Sequence, residues 1–151
     1  MSQRGGDVQS NLRLSTDPVW SDLIPMGGAD IIISMEPMEA LRYLPYLSAD
    51  GVVITAVNPF VNIPDYPDIH ALDAELDCLP HVIRVDIEAA AREAGNPKGA
   101  NMVLLGAAAR SLGILDPDQL REAVATVFAA KGEAVVAANR RAFDLGLESA
   151  L

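Results

Sequence analysis

The side chains best suited to chemistry form a small charged group beside a predicted strand end. Glu36, Glu39 and Arg42 follow the apolar run Ile31–Ile33. In open α/β sheets, ligands bind at the carboxyl ends of the strands, so Glu36 could bind a partner's cation or a substrate hydroxyl. The alternative is local. Both carboxylates would complement the dipole of the following helix, and Glu39 would pair with Arg42 on its surface.

Two further stretches are candidates for contacts with a ligand or a partner. The backbone of Arg4, Gly5 and Gly6 could approach an anion closely, although a flexible terminus explains the same residues. Asn101 either caps a helix or contacts a ligand, and capping is the favoured interpretation. Asn58 follows the second predicted strand, where a ligand over the strand ends would lie close to it.

The sequence predicts no catalytic residue and no metal ligand. His70 and His81 lack metal-ligand spacing to another histidine or to a cysteine, and we expect both at the surface or at an element end. Cys78 lies beside leucines on a predicted helix, which favours a buried, inert thiol. No hydrolase elbow, Walker A or dinucleotide glycine motif occurs.

Composition restricts the class of protein. Half of the 151 residues are apolar, which suits one domain over residues 1–151 with one core. A net charge of −10 argues against binding to nucleic acid. The apolar runs are too short to span a membrane, and the first residues lack a signal-peptide core, so we expect a cytoplasmic protein. One cysteine permits no internal disulfide.

A β-α-β unit sets the predicted fold class. Ile31–Ile33 predicts a strand buried on both faces, as in a parallel sheet covered by helices. Pro37 suits the first position of the next helix. Asp50 and Gly51 predict a turn into a second buried strand, Val52–Ile54. The sequence therefore predicts an α/β domain with a mostly parallel sheet.

The remaining elements follow from periodicity and from helix-boundary residues. Alternation over residues 7–14 predicts an edge strand, and residues 17–28 and 58–67 predict loops. The Gly-Asn-Pro stretch at 95–97 predicts the end of one helix, and Asp116 with Gln119 predicts a capping box at the start of another. Asn139 predicts a buried amide that needs a partner. The remaining predictions are a strand at 82–85 and helices at 68–79, 87–94, 101–112, from 116 and 132–147, so the last third is helical.

Several strings together resemble the gamma-type subunits of 2-oxoacid:ferredoxin oxidoreductases, and in particular those of the indolepyruvate type. The likeness extends from Met1 to Gly146 and implies a three-layer α/β/α fold. It is carried by the strings SQRGG at 2–6, ADIII at 29–33, EPMEALRYL at 36–44, GNP at 95–97 and NMVLLG at 101–106.

The resemblance implies an activity shared with other chains. That activity is oxidative decarboxylation of a 2-oxoacid, such as an arylpyruvate, with coenzyme A and with electrons passed to ferredoxin. It depends on thiamine diphosphate and iron–sulfur clusters. Because a single cysteine cannot ligate a cluster, we expect these cofactors on a larger catalytic partner and none on this chain. The chain would then be an accessory subunit, inactive alone.

The sequence departs from the family pattern at its start. Family members usually open with a strand and a G-x-G-G-Q-G turn, whereas this sequence begins at the SQRGG string. We therefore expect a groove or an exposed edge in the sheet. Any function of that glycine-rich turn is not transferred to this chain.

Three functional hypotheses follow. An accessory subunit predicts an exposed apolar or aromatic surface, for which Trp20, Tyr43, Tyr46 and Phe60 are candidates. A stand-alone nucleotide- or flavin-binding module predicts a pocket with convergent polar groups near the strand ends. A structural scaffold predicts self-association into a homo-oligomer without a ligand. The absence of a phosphate-cradling motif weighs against the second hypothesis, and the extent of the resemblance favours the first over the third.

Overall fold

The computed structural model describes residues 8–61 and 64–150. Three strands alternate with two α-helices in the first part of this region, and four further α-helices follow the third strand. In chain order the elements are β1 (Ala29–Ser34), α1 (Pro37–Arg42), a 3₁₀ turn (Leu44–Tyr46), β2 (Leu47–Ala56), α2 (Ile69–Asp77), β3 (Val82–Val85), α3 (Ile87–Glu93), α4 (Ala100–Ala108), α5 (Pro117–Phe128), a 3₁₀ turn (Ala129–Lys131) and α6 (Glu133–Ser149). The predicted α/β class and helical C-terminal third are confirmed.

The strands form a parallel sheet in the order β1-β2-β3. Because β2 is central, it is the strand buried on both faces. The prediction that β1 is such a strand is wrong, since Ile33 is 43% exposed at the sheet edge. Asp50 and Gly51 lie within β2, where the register shifts between the pairs Ala29–Leu47 and Ile31–Val52. They form part of an irregularity in the strand rather than a preceding turn.

Side chains of β2 alternate between two helical layers. Ile54 and Ala56 belong to the main core cluster, together with Val103 and Leu104 of α4. Their neighbour Val53 points to the opposite face because successive strand residues face opposite ways. Helix α1 contacts both β1 and β2 and carries the buried Ala40. Helices therefore cover both faces of the sheet, as the three-layer expectation requires.

Two glycines allow α4 and α6 to touch along their backbones. A Cβ at Gly106 would overlap the carbonyl oxygen of Phe143, and a Cβ at Gly146 would overlap that of Val103. The helices thus approach more closely than any larger residue would permit. The prediction that α4 is a buried helix with small residues for close packing is confirmed.

Polar side chains define the ends of the helices and join two of them. Asp116 caps α5 in a capping box with Gln119, as predicted. Gly95 has a φ of 72° just after α3, which suits glycine at a helix end. The side-chain amide of Asn96 donates to Oδ1 of the buried Asn139 at 3.0 Å, and Asn139 donates to the carbonyl of Val135 at 2.8 Å. The predicted buried amide is confirmed, and it joins the end of α3 to α6.

Residues 8–28, here called the N-terminal arm, contain no helix or strand. The described part of the predicted edge strand, residues 8–14, is therefore irregular chain. Side-chain hydrogen bonds hold the arm, instead of backbone pairing with a strand. The amide of Ile24 donates to Oδ1 of Asn11 at 3.4 Å, and Arg13 donates to the carbonyl of Ser21 at 2.8 Å. The loop predicted at 17–28 is confirmed.

Within the described ranges, no helix has the length and apolar character needed to cross a bilayer.

We expect Gly146→Ala to destabilise the protein by about 2 kcal/mol, since an added methyl group in a fully packed contact must displace backbone. Helix propensity alone predicts the opposite sign, a gain of about 1 kcal/mol. Urea unfolding followed by circular dichroism distinguishes the two. Gly106→Ala tests the other half of the same contact and should behave alike. A Gly146→Ala variant more stable than the wild type would contradict the close approach.

Candidate functional site

A shallow pocket of about 270 Å³ lies where the three strands end, and we call it the strand-end pocket. Each strand contributes residues from the segment that follows it: Met35 and Glu36 after β1, Asn58 and Phe60 after β2, and Glu88 after β3. Parallel strands bring these segments together because their carboxyl ends share one edge of the sheet. Ala100, the first residue of α4, completes the wall.

Glu36 is the most constrained side chain in the strand-end pocket. It caps α1 by accepting the amide of Glu39 on Oε2 at 2.9 Å. Its other oxygen, Oε1, accepts the hydroxyl of Tyr66. Ser34 fixes the backbone, since its hydroxyl donates to the carbonyl of Glu36 at 2.7 Å and accepts the amide of Glu36 at 3.3 Å. The carboxylate therefore joins the end of β1, the start of α1 and the loop after β2.

The surroundings of Tyr66 raise the pKa of its phenol. Partial burial raises the pKa of its phenol well above the usual value, and the hydrogen bond to Glu36 and the negative charges of Glu36 and Glu39 raise the pKa further. The phenol therefore stays protonated and remains a donor throughout the physiological pH range. Tyr66 lies in the loop after β2, and its hydrogen bond to Glu36 holds this loop against α1.

Large apolar side chains surround the strand-end pocket without being covered. Phe60 is 67% exposed and Met35 is 50% exposed, and the adjacent Val61 is also exposed. Phe60 and Met35 line the pocket itself. Apolar groups of this size at the rim of a polar pocket are typical of protein interaction sites.

The structure brings together only some of the predicted site residues. Glu36 and Asn58 line the same pocket. Glu39 and Arg42 form the predicted ion pair, at 3.3 Å on the surface of α1, and Glu39 lines a different cavity. Asn101 lines none of the cavities described here.

The candidate anion-binding stretch Arg4, Gly5 and Gly6 lies outside the described residues.

Two predictions about single residues are wrong. Asn101 does not cap α4, because the cap residue is Gly99 and Asn101 lies exposed inside the first helical turn. Cys78 is exposed rather than buried. Helix α2 ends at Asp77, so Cys78 lies past the helix and away from its buried residue Leu76. Both histidines are exposed, as expected.

No cluster of three or more potential metal-ligating side chains occurs among residues 8–61 and 64–150.

Two contributors to the site were not predicted. Glu88 lies in the first turn of α3, where its sequence position suggests only an exposed helix residue. Tyr66 lies in a proline-rich irregular loop, and its contact with Glu36 joins residues far apart in the sequence. Only a general rule could have indicated these two residues: the segments that follow the strands of a parallel sheet lie at the same edge.

A second cavity, of about 330 Å³, runs along the outer edge of β1 between Ile31–Ser34 and the arm residues Val8–Asn11. Among the described residues, β1 pairs with β2 only. The expected groove is therefore present. Tyr43 and Tyr46, whose rings lie 6.1 Å apart, form another part of its wall.

A third cavity, of about 830 Å³, lies between α5 and α6 in the described part of the chain. Its arginines are already paired. Arg121 donates twice to Asp144, at 2.7 and 2.9 Å, and Arg140 pairs with Glu122. These pairs hold the two helices together, so we assign this cavity a structural role.

The parallel sheet and the helical layers on its two faces define a three-layer α/β domain with a pocket at the strand ends. A family model described as pyruvate ferredoxin/flavodoxin oxidoreductase matches residues 1–149, and the chain belongs to this family.

Among its relatives are the indolepyruvate oxidoreductase subunits IorB of Thermococcus kodakarensis and of Pyrococcus horikoshii. Each is 35% identical over 99% of this chain and 77% of the relative. The IorB subunit of Methanothermobacter thermautotrophicus is 37% identical over 75% of this chain and 60% of the relative. The resemblance drawn from the sequence strings is confirmed.

We expect the alkaline titration of the protein, followed by tyrosinate absorbance, to contain a late phase that Tyr66→Phe removes. The phenol ionises later in the folded protein than at the unperturbed value of about 10. Folding stability should therefore fall as the pH rises from that value through the folded pKa, and Tyr66→Phe should lessen this fall. Tyr46→Phe serves as the control. Retention of the late phase in Tyr66→Phe would contradict the assignment.

Proposed function

We propose that this chain is an accessory subunit of a 2-oxoacid oxidoreductase and works by packing against a larger catalytic chain. The observation that carries the proposal is the concentration of exposed large apolar side chains in the N-terminal arm. Trp20 is 92% exposed, and six further large apolar side chains of the arm are also exposed. They are Val8, Leu12, Leu14, Val19, Leu23 and Met26.

The arm has the features of a preformed contact surface. Its internal hydrogen bonds, from Ile24 to Asn11 and from Arg13 to Ser21, fix its path. The amide of Gly27 also donates to the carbonyl of Pro45 at 3.0 Å, which joins its end to the body. Such order without burial favours an interface that a partner completes, since exposed apolar surface is costly in water. Aromatic side chains such as Trp20 are typical anchors of interfaces.

The reaction is proposed from the family and its relatives. We infer that the complex oxidatively decarboxylates a 2-oxoacid to its acyl-coenzyme A and passes the electrons to ferredoxin. Arylpyruvates, with indolepyruvate as the first candidate, are the substrate class that the relatives' name supports.

The cofactors of that reaction are best placed on the partner. An iron–sulfur cluster needs several cysteine ligands, and this chain has only the exposed Cys78. Its side chains do not fit a cluster. The sequence contains no glycine motif of the kind that cradles a nucleotide phosphate. The alternative of a stand-alone nucleotide- or flavin-binding module is therefore less well supported.

The direct test is co-expression of this chain with the product of the neighbouring gene. The purified complex is assayed for reduction of a viologen dye that depends on an arylpyruvate and on coenzyme A. We expect a brown complex whose turnover requires both chains. A partner equally active without this chain would overturn the proposal. A yellow or nucleotide-bearing preparation of this chain alone would favour the binding module instead.

Trp20→Ala should weaken binding to the catalytic chain by roughly tenfold or more, as expected for loss of a buried aromatic anchor. The free chain should remain folded because Trp20 is 92% exposed and so contributes little to its packing. Ile114→Ala is the matched control, since Ile114 is exposed but lies outside the arm. Surface plasmon resonance against the immobilised partner measures both. Equal affinities of the two variants would remove the arm from the interface.

A further inference from the structure

The strand-end pocket combines two chemical features that the accessory role alone does not explain. Its polar side chains are the carboxylates of Glu36 and Glu88 and the amide of Asn58, whose oxygen is a further acceptor. Its rim is apolar and uncovered, with Met35 and Phe60 exposed. An acidic end with apolar walls matches a side chain that has a long aliphatic stem and a cationic head.

Among the described residues that line this pocket there is no lysine, arginine or histidine. Arg92 lies 3.6 Å from Glu88 as an exposed i,i+4 pair. Exposed pairs of this kind contribute little, so Glu88 can exchange this partner for another at small cost. Glu36 is held in place by Tyr66 and by the amide of Glu39, and each carboxylate oxygen can accept a further hydrogen bond.

We propose that the strand-end pocket receives an arginine or lysine side chain presented by a loop of the larger catalytic subunit. This inference rests on the proposed accessory function and identifies the chemistry of the partner at this edge. The cationic head lies between Glu88 and Glu36 and donates also to the oxygen of Asn58. Met35 and Phe60 cover the aliphatic stem.

The net charge of the chain supports this partner. At −10, the chain attracts basic surfaces, and a cleft of one sign speeds the encounter with a charge of the other. The exposed Phe60 and Val61 favour a protein over a free amine, because a small cation would leave them in water.

The test measures the affinity of variants for the catalytic subunit at several salt concentrations. Glu88→Gln and Phe60→Ala should each weaken binding by roughly tenfold, which corresponds to about 1.4 kcal/mol. Glu88→Lys should weaken it further. Affinity should also depend less on salt in Glu88→Gln than in the wild type, because one ion pair is lost. The matched controls are Glu75→Gln on α2 and Val127→Ala on α5, both exposed positions outside the pocket.

The outcomes separate this inference from the proposed function. If the wild-type chains form an active complex but Glu88 and Phe60 variants bind like the controls, the pocket proposal is overturned and the accessory role stands. If the wild-type chains form no complex, both fail. Should Phe60→Ala lower stability, Glu88→Gln still decides, since Glu88 is an exposed residue of α3 whose pair with Arg92 is also exposed.

Discussion

The fold depends on the close approach of α4 and α6. Gly106 and Gly146 allow the two helix backbones to touch, and that contact lets α4 lie on the sheet while α6 closes the layer behind it. The Asn96–Asn139 hydrogen bond then joins the end of α3 to α6. Because this contact leaves no room for a larger side chain, the packing of the helical layer depends on both glycines. The strand ends share one edge because the three strands pair in parallel.

The site at this edge is organised by one carboxylate. Glu36 caps α1 and also accepts the hydroxyl of Tyr66, so a single side chain fixes the relative positions of the helix after β1 and the loop after β2. A local helix-capping role and a role in partner recognition are therefore compatible. The capping contact and the hydroxyl of Tyr66 orient the carboxylate, and each of its oxygens can accept a further hydrogen bond.

Local features of the sequence predicted local structure well. The capping box of Asp116 and Gln119 and the buried amide of Asn139 follow from spacing along one helix. The errors arise where the outcome depends on neighbours in space. Ile33 is β-branched and apolar, yet it is exposed because β1 lies at the sheet edge. Cys78 was misplaced because α2 ends one residue before it. The contact between Tyr66 and Glu36 was not predicted because only folding brings these two residues together.

We propose that this domain docks, through the arm and the strand-end edge, against a catalytic chain. Amide hydrogen exchange, measured on the free chain and on the complex, is the most direct test of this docking. We expect slower exchange in the complex around Trp20 and at Phe60 and Val61, with exchange on the exposed side of α5 unchanged. Protection confined to α5 and α6, or no protection in the arm and at the strand ends, would contradict it.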